Sequence, residues 1–116
     1  MAEPVYKILT EAAFEEAQRQ GRFAGWADDL RDGFIHLSAC HQLPGTLATH
    51  FAGQTDLLLL AVDAEWLGDD LKWEPSRGGA LFPHLYAPLD LAAVLWAEAL
   101  PLGADGRHVL PEGVPA

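Results

Sequence analysis

Cysteine and long apolar runs are both scarce in this sequence of 116 residues. The one cysteine, Cys40, cannot form a disulfide within the chain. The longest apolar run, residues 57–62, is much shorter than the ~20 residues that a membrane helix requires. The N-terminus has no basic region followed by an apolar stretch, so no signal peptide is visible. These absences predict a cytoplasmic protein with a reduced thiol and no membrane partner.

Positive charge is also scarce, with seven Lys and Arg against 17 Asp and Glu and a formal net charge of −10. An acidic surface repels phosphate backbones, so we expect no nucleic-acid partner. Between Arg31 and Arg107 the only basic residues are Lys72 and Arg77, which flank Trp73-Glu74. Arg77 suits a bidentate contact with phosphate or carboxylate, and the glycines after it suit an anion nest. A surface loop with a salt bridge is the alternative interpretation of the same residues.

Several catalytic and metal-binding motifs are missing. The sequence contains no pair of cysteines and no His-x-x-x-His helical spacing, so a metal site would require His36, His84 and Glu74 to converge by folding. We therefore predict no metal site. The nucleophile elbow Gly-x-Ser-x-Gly, the phosphate-binding P-loop and the dinucleotide fingerprint Gly-x-Gly-x-x-Gly are absent as well.

Half of the residues are hydrophobic, which suits one domain over residues 1–116 with a core at 5–100 and an irregular tail at 101–116. Strands are predicted at residues 5–9, 34–37, 56–63 and 71–74, and helices at 11–20 and 42–52. Residues 22–31 have no clean period and predict a loop or a short helix. Residues 93–100 fit a strand slightly better than a helix. Pro83 favours an edge strand or an extended loop at 81–86. The order of elements predicts an α+β fold.

The stretch from Asp32 to Ser38 is the most informative part of the sequence. His36 lies within an apolar strand, where a titratable side chain needs a partner. Ser38 falls on the same face two residues later. The candidate partners of His36 are Glu74, Arg77 and His84, some forty residues further along. This spacing predicts a cleft with Asp32–Ser38 as one wall and Trp73–Tyr86 as the other. A buried histidine bonded to backbone is the alternative.

Four stretches together resemble the bacterial domain-of-unknown-function family 952: Tyr6-Lys7-Ile8-Leu9, Asp32-Gly33-Phe34-Ile35-His36-Leu37-Ser38 with Gln42, Trp73-Glu74, and Phe82-Pro83-His84-Leu85-Tyr86. The resemblance covers residues 5–100. That family is thought to be related to the ADP-ribosyltransferase-like superfamily. The resemblance therefore implies a small split, mostly antiparallel sheet with two main helices, which clasps NAD or an ADP-ribose-like ligand.

The same resemblance implies roles for individual residues. His36 resembles the histidine of an early strand that binds a ribose hydroxyl, and Tyr86 or His84 fills the second position of the superfamily pattern. Glu74 or Glu98 is the candidate for the acidic position. A carboxylate there would stabilise an oxocarbenium-like centre during glycosyl transfer.

The site expected from the sequence has His36 and Glu74 as catalytic residues and Ser38, Arg77, His84 and Tyr86 as ligand-binding residues. The function expected is the binding of a nucleotide-like or phosphorylated small molecule, with NAD as the implied cofactor and ADP-ribosyl transfer as the implied reaction. A non-catalytic module that binds a peptide or protein in the same cleft, near the edge segment at Pro83, is the alternative. The oligomeric state stays open.

Overall fold

The computed structural model describes residues 3–26, 28–112 and 114 of the chain, and only the backbone of Arg77. Strands and helices alternate in its first half, and strands dominate the second. In chain order they are β1 (Val5–Thr10), α1 (Glu11–Gln20), β2 (Arg22–Phe23), α2 (Asp28–Asp32), β3 (Ile35–His36), α3 (Leu43–His50), β4 (Leu57–Val62), α4 (Ala64–Leu67), β5 (Leu71–Pro75), β6 (Leu81–Leu85), β7 (Leu89–Asp90) and β8 (Val94–Ala99).

Two three-stranded antiparallel sheets form the framework, one in the order β1-β4-β8 and the other in the order β3-β6-β5. A short ribbon of β2 and β7 accompanies them. The two sheets meet where Tyr6 in β1 and Ser38, just after β3, exchange two backbone hydrogen bonds of 2.8 and 2.9 Å. The protein is thus a small α+β fold with mostly antiparallel strands, as the sequence predicts.

The strand β4 divides the core into two apolar clusters. Leu60 and Val62 pack on the side of α1, whereas Leu57, Leu59 and Ala61 pack on the side of α3. All five side chains are buried. Because successive side chains of a strand point to opposite faces, an apolar run with no polar interruption is typical of a strand covered on both faces. The prediction of a central strand here is confirmed.

The two longest helices begin and end close to the predicted residues. The side chain of Thr10 caps α1 by accepting a hydrogen bond of 3.1 Å from the backbone of Ala13, and Gly21 ends the helix in the left-handed conformation. The helix α3 holds Pro44 in its first turn, where a missing N–H is tolerated, and it ends at His50. No described helix is long and apolar enough to cross a membrane.

The prediction of an edge strand or loop around Pro83 is wrong. Pro83 lies in β6, which is the middle strand between β3 and β5. The carbonyl of Pro83 accepts a 3.0 Å hydrogen bond from the backbone of Leu37, one residue after β3 ends. In an antiparallel pair the reciprocal bond would come from the N–H that proline lacks. Proline is tolerated in this central strand because its missing donor faces the end of a very short neighbour.

Candidate functional site

A cavity of about 560 Å³ lies where the two sheets meet. Tyr6, Lys7 and Ile8 of β1 form one side. The segment from His36 to Ser38 and the side chain of His84 form another. The helix α2 covers part of the cavity with its aspartates, and α3 contributes a polar wall with Thr46, Thr49 and His50. The volume of the cavity falls within the roughly 300–1,000 Å³ that small-molecule sites usually have.

The carboxylate of Asp29 fixes the position of His36. One oxygen of Asp29 lies 2.7 Å from Nδ1 of the imidazole and accepts a second hydrogen bond of 2.8 Å from the backbone of His36. The other oxygen accepts from the backbone of Trp26 at 3.1 Å. The Asp29 side chain is only 3% exposed, whereas that of His36 is 33% exposed. The buried carboxylate therefore orients a histidine that stays partly accessible from the cavity.

Lys7 supplies the counter-charge of Asp29. Its ammonium lies 3.0 Å from the carboxylate and also donates a 3.1 Å hydrogen bond to the backbone carbonyl of His36. Burial lowers the pKa of Lys7, and the charge of Asp29 offsets only part of this effect. Burial raises the pKa of Asp29, but the hydrogen bonds from His36 and the charge of Lys7 outweigh it, so that the pKa lies below its ordinary value. We infer a buried ion pair that holds the backbone and the ring of His36 together.

A second carboxylate contacts Nε2, the other ring nitrogen of His36. Asp32, the last residue of α2, places an oxygen 3.0 Å from Nε2. Arg31 binds the same carboxylate, with its Nε 3.1 Å from the other oxygen. This hydrogen bond from Arg31 lowers the pKa of Asp32. Both nitrogens of the His36 ring are therefore engaged by aspartates of a single five-residue helix.

His84 is held in a comparable way on the neighbouring strand. Its Nδ1 lies 2.8 Å from an oxygen of Glu74, which also accepts a 2.6 Å hydrogen bond from the hydroxyl of Tyr86. The hydrogen bond from Tyr86, followed by that from His84, lowers the pKa of Glu74, and the same contact raises the pKa of Tyr86. Among the described residues none donates to, or accepts from, Nε2 of His84.

The two histidines face each other because β3 and β6 pair His36 with His84 directly. Their ring centroids are 5.7 Å apart, with the planes at 67°. Phe34 stacks on His84 at 4.0 Å and contacts His36 at 4.6 Å. A non-hydrogen-bonded cross-strand pair brings side chains close, and stacked rings restrict their rotation. The arrangement presents two oriented imidazoles, each bonded through Nδ1 to a carboxylate.

Ser38 lines the cavity, and Gln42 supports the chain segments behind it. The hydroxyl of Ser38 lies 3.3 Å from that of Thr46 on α3, so the hydroxyls of the loop and the helix meet at the cavity. Gln42 accepts a hydrogen bond of 2.9 Å from the backbone of Ala39 and donates one of 2.8 Å to the carbonyl of Leu81. Because Gln42 bonds to both chain segments, it fixes the distance between the start of α3 and β6.

The structure brings only part of the predicted site together. His36, Ser38 and His84 line the cavity. Glu74 bonds to His84, and Tyr86 bonds to Glu74, but neither lines this cavity. Tyr86 borders a smaller cavity of about 270 Å³ instead. Glu98 lies on β8, in the other sheet.

Arg77 is the one predicted site residue whose side chain lies outside the described part of the structure. Its backbone belongs to a tight turn next to Ser76, which does line the cavity. The N–H of Gly79 in this turn donates to the carbonyl of Ser76 at 2.8 Å. At least one N–H of the predicted anion nest is thus used within the turn.

Lys7, Asp29 and Arg31 were not predicted as site residues, and Asp32 was predicted only as the end of one wall of the cleft. One feature of the sequence indicated a buried acidic partner. Lys7 is a cation within the apolar strand Val5–Thr10, and a buried ammonium requires a counter-charge. The aspartates of α2 resemble an ordinary solvated acidic cluster in sequence. Among residues 3–26, 28–112 and 114, no group of three or more ligating side chains is arranged to hold a metal ion.

Comparisons with known proteins relate the chain to one protein of known structure. The crystal structure of CC0527 from Caulobacter crescentus is 57% identical, with a TM-score of 0.87 over 91% of this chain and 93% of that chain. The solution NMR structure of CC0527 is 58% identical, with a TM-score of 0.81 over 90% of each chain. No curated protein matches the chain. Residues 8–97 match a family described as proteins of unknown function, which confirms the resemblance to family 952. The chain therefore belongs to the protein family of unknown function DUF952.

Proposed function

We propose that the protein binds a nucleotide-like small molecule of the NAD or ADP-ribose type in the cavity between the two sheets. The observation that supports this proposal is the pair of facing histidines, His36 and His84, each held through Nδ1 by a carboxylate. Such a partner at Nδ1 fixes the orientation of the imidazole ring. The Nε2 edge of His84 is then directed at a ligand, whereas Nε2 of His36 is bonded to Asp32.

The chemistry of the cavity favours a ligand with hydroxyl groups. Imidazole nitrogens and the hydroxyls of Ser38, Thr46 and Thr49 are able to donate and accept, as the vicinal hydroxyls of a ribose require. The volume of about 560 Å³ exceeds what one sugar needs and leaves space for a base or a second ring. The proposed relationship to the ADP-ribosyltransferase-like superfamily favours a ribose at the pair of histidines, where Nε2 of His84 has no partner among the described residues.

The positions of the two glutamates considered for the acidic role favour binding over glycosyl transfer. A transfer reaction requires a carboxylate near the developing oxocarbenium centre. Glu74 is bonded to His84 and Tyr86 outside the cavity lining, and Glu98 belongs to the other sheet. The alternative of a peptide-binding module depended on an edge strand at Pro83. Because Pro83 lies in a central strand, this segment offers no free edge to which a peptide could add.

Isothermal titration calorimetry with NAD, ADP-ribose and adenosine tests the proposal. We expect at least one of these ligands to bind, and His36→Ala to weaken it by about tenfold or more, because a ligand hydrogen bond is worth roughly 1.5 kcal/mol. His41→Ala is the matched control, since His41 is exposed on a neighbouring turn and does not line the cavity. Chromatography of the NAD mixture detects nicotinamide release, which would extend the proposal from binding to transfer.

The proposal is wrong if none of the three ligands binds the folded protein at millimolar concentration. It is also wrong if His36→Ala and His41→Ala bind equally well, because the site would then lie elsewhere. Circular dichroism spectra of both variants exclude loss of the fold as the reason for lost binding.

A further inference from the structure

The contact between Asp32 and His36 occupies the atom that a ligand would need. Nε2 of His36 lies 3.0 Å from one oxygen of Asp32. Arg31 donates to both oxygens of the same carboxylate, at 3.1 Å from Nε and 3.4 Å from one terminal nitrogen. A carboxylate that receives hydrogen bonds from an imidazole and a guanidinium has the surroundings of a bound anion.

We propose that Asp32 fills an anion subsite of the cavity, and that a phosphate or carboxylate group of the ligand replaces it on His36 and Arg31. The inference rests on the proposed function and adds the group of the ligand that those two residues contact. For a ligand of the ADP-ribose type this group is a phosphate of the pyrophosphate. Asp32 is then an internal competitor that the ligand displaces.

A comparison of the two aspartates that contact His36 explains why Asp32 is the one to leave. The Asp29 side chain is 3% exposed and is bound by Lys7 and by two backbone N–H groups, so its removal would leave buried donors without partners. The Asp32 side chain is 33% exposed, and its described partners are the side chains of Arg31 and His36. Water can replace those contacts at little cost.

The local backbone also permits the displacement. Asp32 is the last residue of α2, which has five residues, and Gly33 follows it with a φ of +83°. A short helix end next to a glycine in the left-handed region changes its direction more readily than the interior of a strand. Arg31 keeps a partner after the exchange, because it also lies 3.2 Å from Asp28.

Calorimetry with ADP-ribose and adenosine on the full chain tests the inference, using Asp32→Ala and the matched control Asp28→Ala. Both substitutions remove one negative charge from α2, but only Asp32 contacts His36. If the Asp32 contact is about 90–97% populated in the free protein, its removal tightens ADP-ribose binding roughly 10–30-fold. The affinity for adenosine, which has no phosphate, stays within about twofold because its ribose hydroxyls bond to Nε2 of His84 and leave the Asp32 contact with His36 in place.

Two further measurements separate a subsite from a general change of charge. In Asp32→Ala, the additional change Arg31→Gln is expected to abolish the gain, because the guanidinium is the second donor of the subsite. In nitrogen-15 NMR spectra of wild-type protein, inorganic phosphate is expected to shift the Nε2 resonance of His36 in a saturable manner. Asp32→Asn replaces Asp32→Ala if the alanine variant does not fold.

The outcomes distinguish this inference from the proposed function. Equal tightening by Asp28→Ala and Asp32→Ala overturns the subsite, because a general charge effect then explains both. If ADP-ribose binds through His36 but Asp32→Ala leaves its affinity unchanged or weaker, the subsite alone is refuted. If none of NAD, ADP-ribose and adenosine binds the wild-type protein or Asp32→Ala, both proposals fail.

Discussion

Replacement of Asp29 by alanine is the most severe single change that the structure predicts outside the apolar core. The substitution leaves the buried ammonium of Lys7 without a counter-charge. It also leaves the backbone N–H groups of Trp26 and His36 without their acceptor. The side chains of Lys7 and Asp29 are 7% and 3% exposed, so water replaces these partners poorly.

The magnitude follows from the loss of one partner of a buried ion pair, which costs about 3–5 kcal/mol. For a domain of this size, about 4 °C of melting temperature corresponds to each kcal/mol, which gives a loss of roughly 12–20 °C. Urea unfolding followed by tryptophan fluorescence measures the free energy directly. Asp28→Ala on the same helix removes an exposed carboxylate and should change stability by less than about 0.5 kcal/mol.

A double variant tests the reason for this loss. Lys7→Met together with Asp29→Ala removes both charges and leaves no buried ion unpaired, so it should be more stable than Asp29→Ala alone. The reasoning is refuted if Asp29→Ala costs less than about 1 kcal/mol, or if the double variant is as unstable as the sum of the two single variants.

Two further predictions concern protonation. The folded-state pKa of Asp29 lies below its unfolded value of about 3.9, so its contribution to stability is present above that pH and is lost as the pH falls through the lower folded pKa. The difference in unfolding free energy between wild type and Asp29→Asn should therefore narrow below about pH 4 in urea titrations, and a constant difference would contradict this. Glu74→Ala removes the hydrogen bond, and with it the charge, that raises the pKa of Tyr86. An ultraviolet titration in a Tyr6→Phe background should therefore show the pKa of Tyr86 move down towards its ordinary value, and an unchanged titration would contradict the assigned cause.

Local signals were sufficient to predict most elements of the fold. The helix α1 was predictable because Thr10 and Gly21 mark its two ends, and β4 was predictable because its apolar run leaves no polar face. The place of β6 was not predictable in this way. Pro83 argues against a central strand in general, and only the end of β3 at His36, a tertiary feature, makes the proline acceptable.

The candidate site was predictable in part for a similar reason. His36 stood out because it interrupts an apolar strand, and its pairing with His84 follows from the sheet register. Its hydrogen-bond partners were expected some forty residues later, but they come from Asp29 and Asp32, seven and four residues before it. That proximity depends on α2 folding back onto β3. The turn at Gly33, which has a positive φ, connects α2 to β3. The glycine alone does not indicate in which direction α2 packs against β3.

The ion pair of Lys7 and Asp29 also explains why a cavity exists between the sheets. In an antiparallel ladder, backbone groups two residues apart point to the same side, so His36 directs its N–H and carbonyl towards β1, as Ser38 does. Ser38 bonds to the backbone of Tyr6, whereas His36 bonds to the side chains of Asp29 and Lys7. The side chains of Asp29 and Lys7 thus take the place of the next backbone pair between β3 and β1. The two strands are therefore able to separate without leaving the N–H of His36 unsatisfied. Asp29 and Lys7 therefore orient His36 and also allow β1 and β3 to separate beside it. The same ion pair thus supports both the separation of the two sheets and the geometry of the proposed binding site.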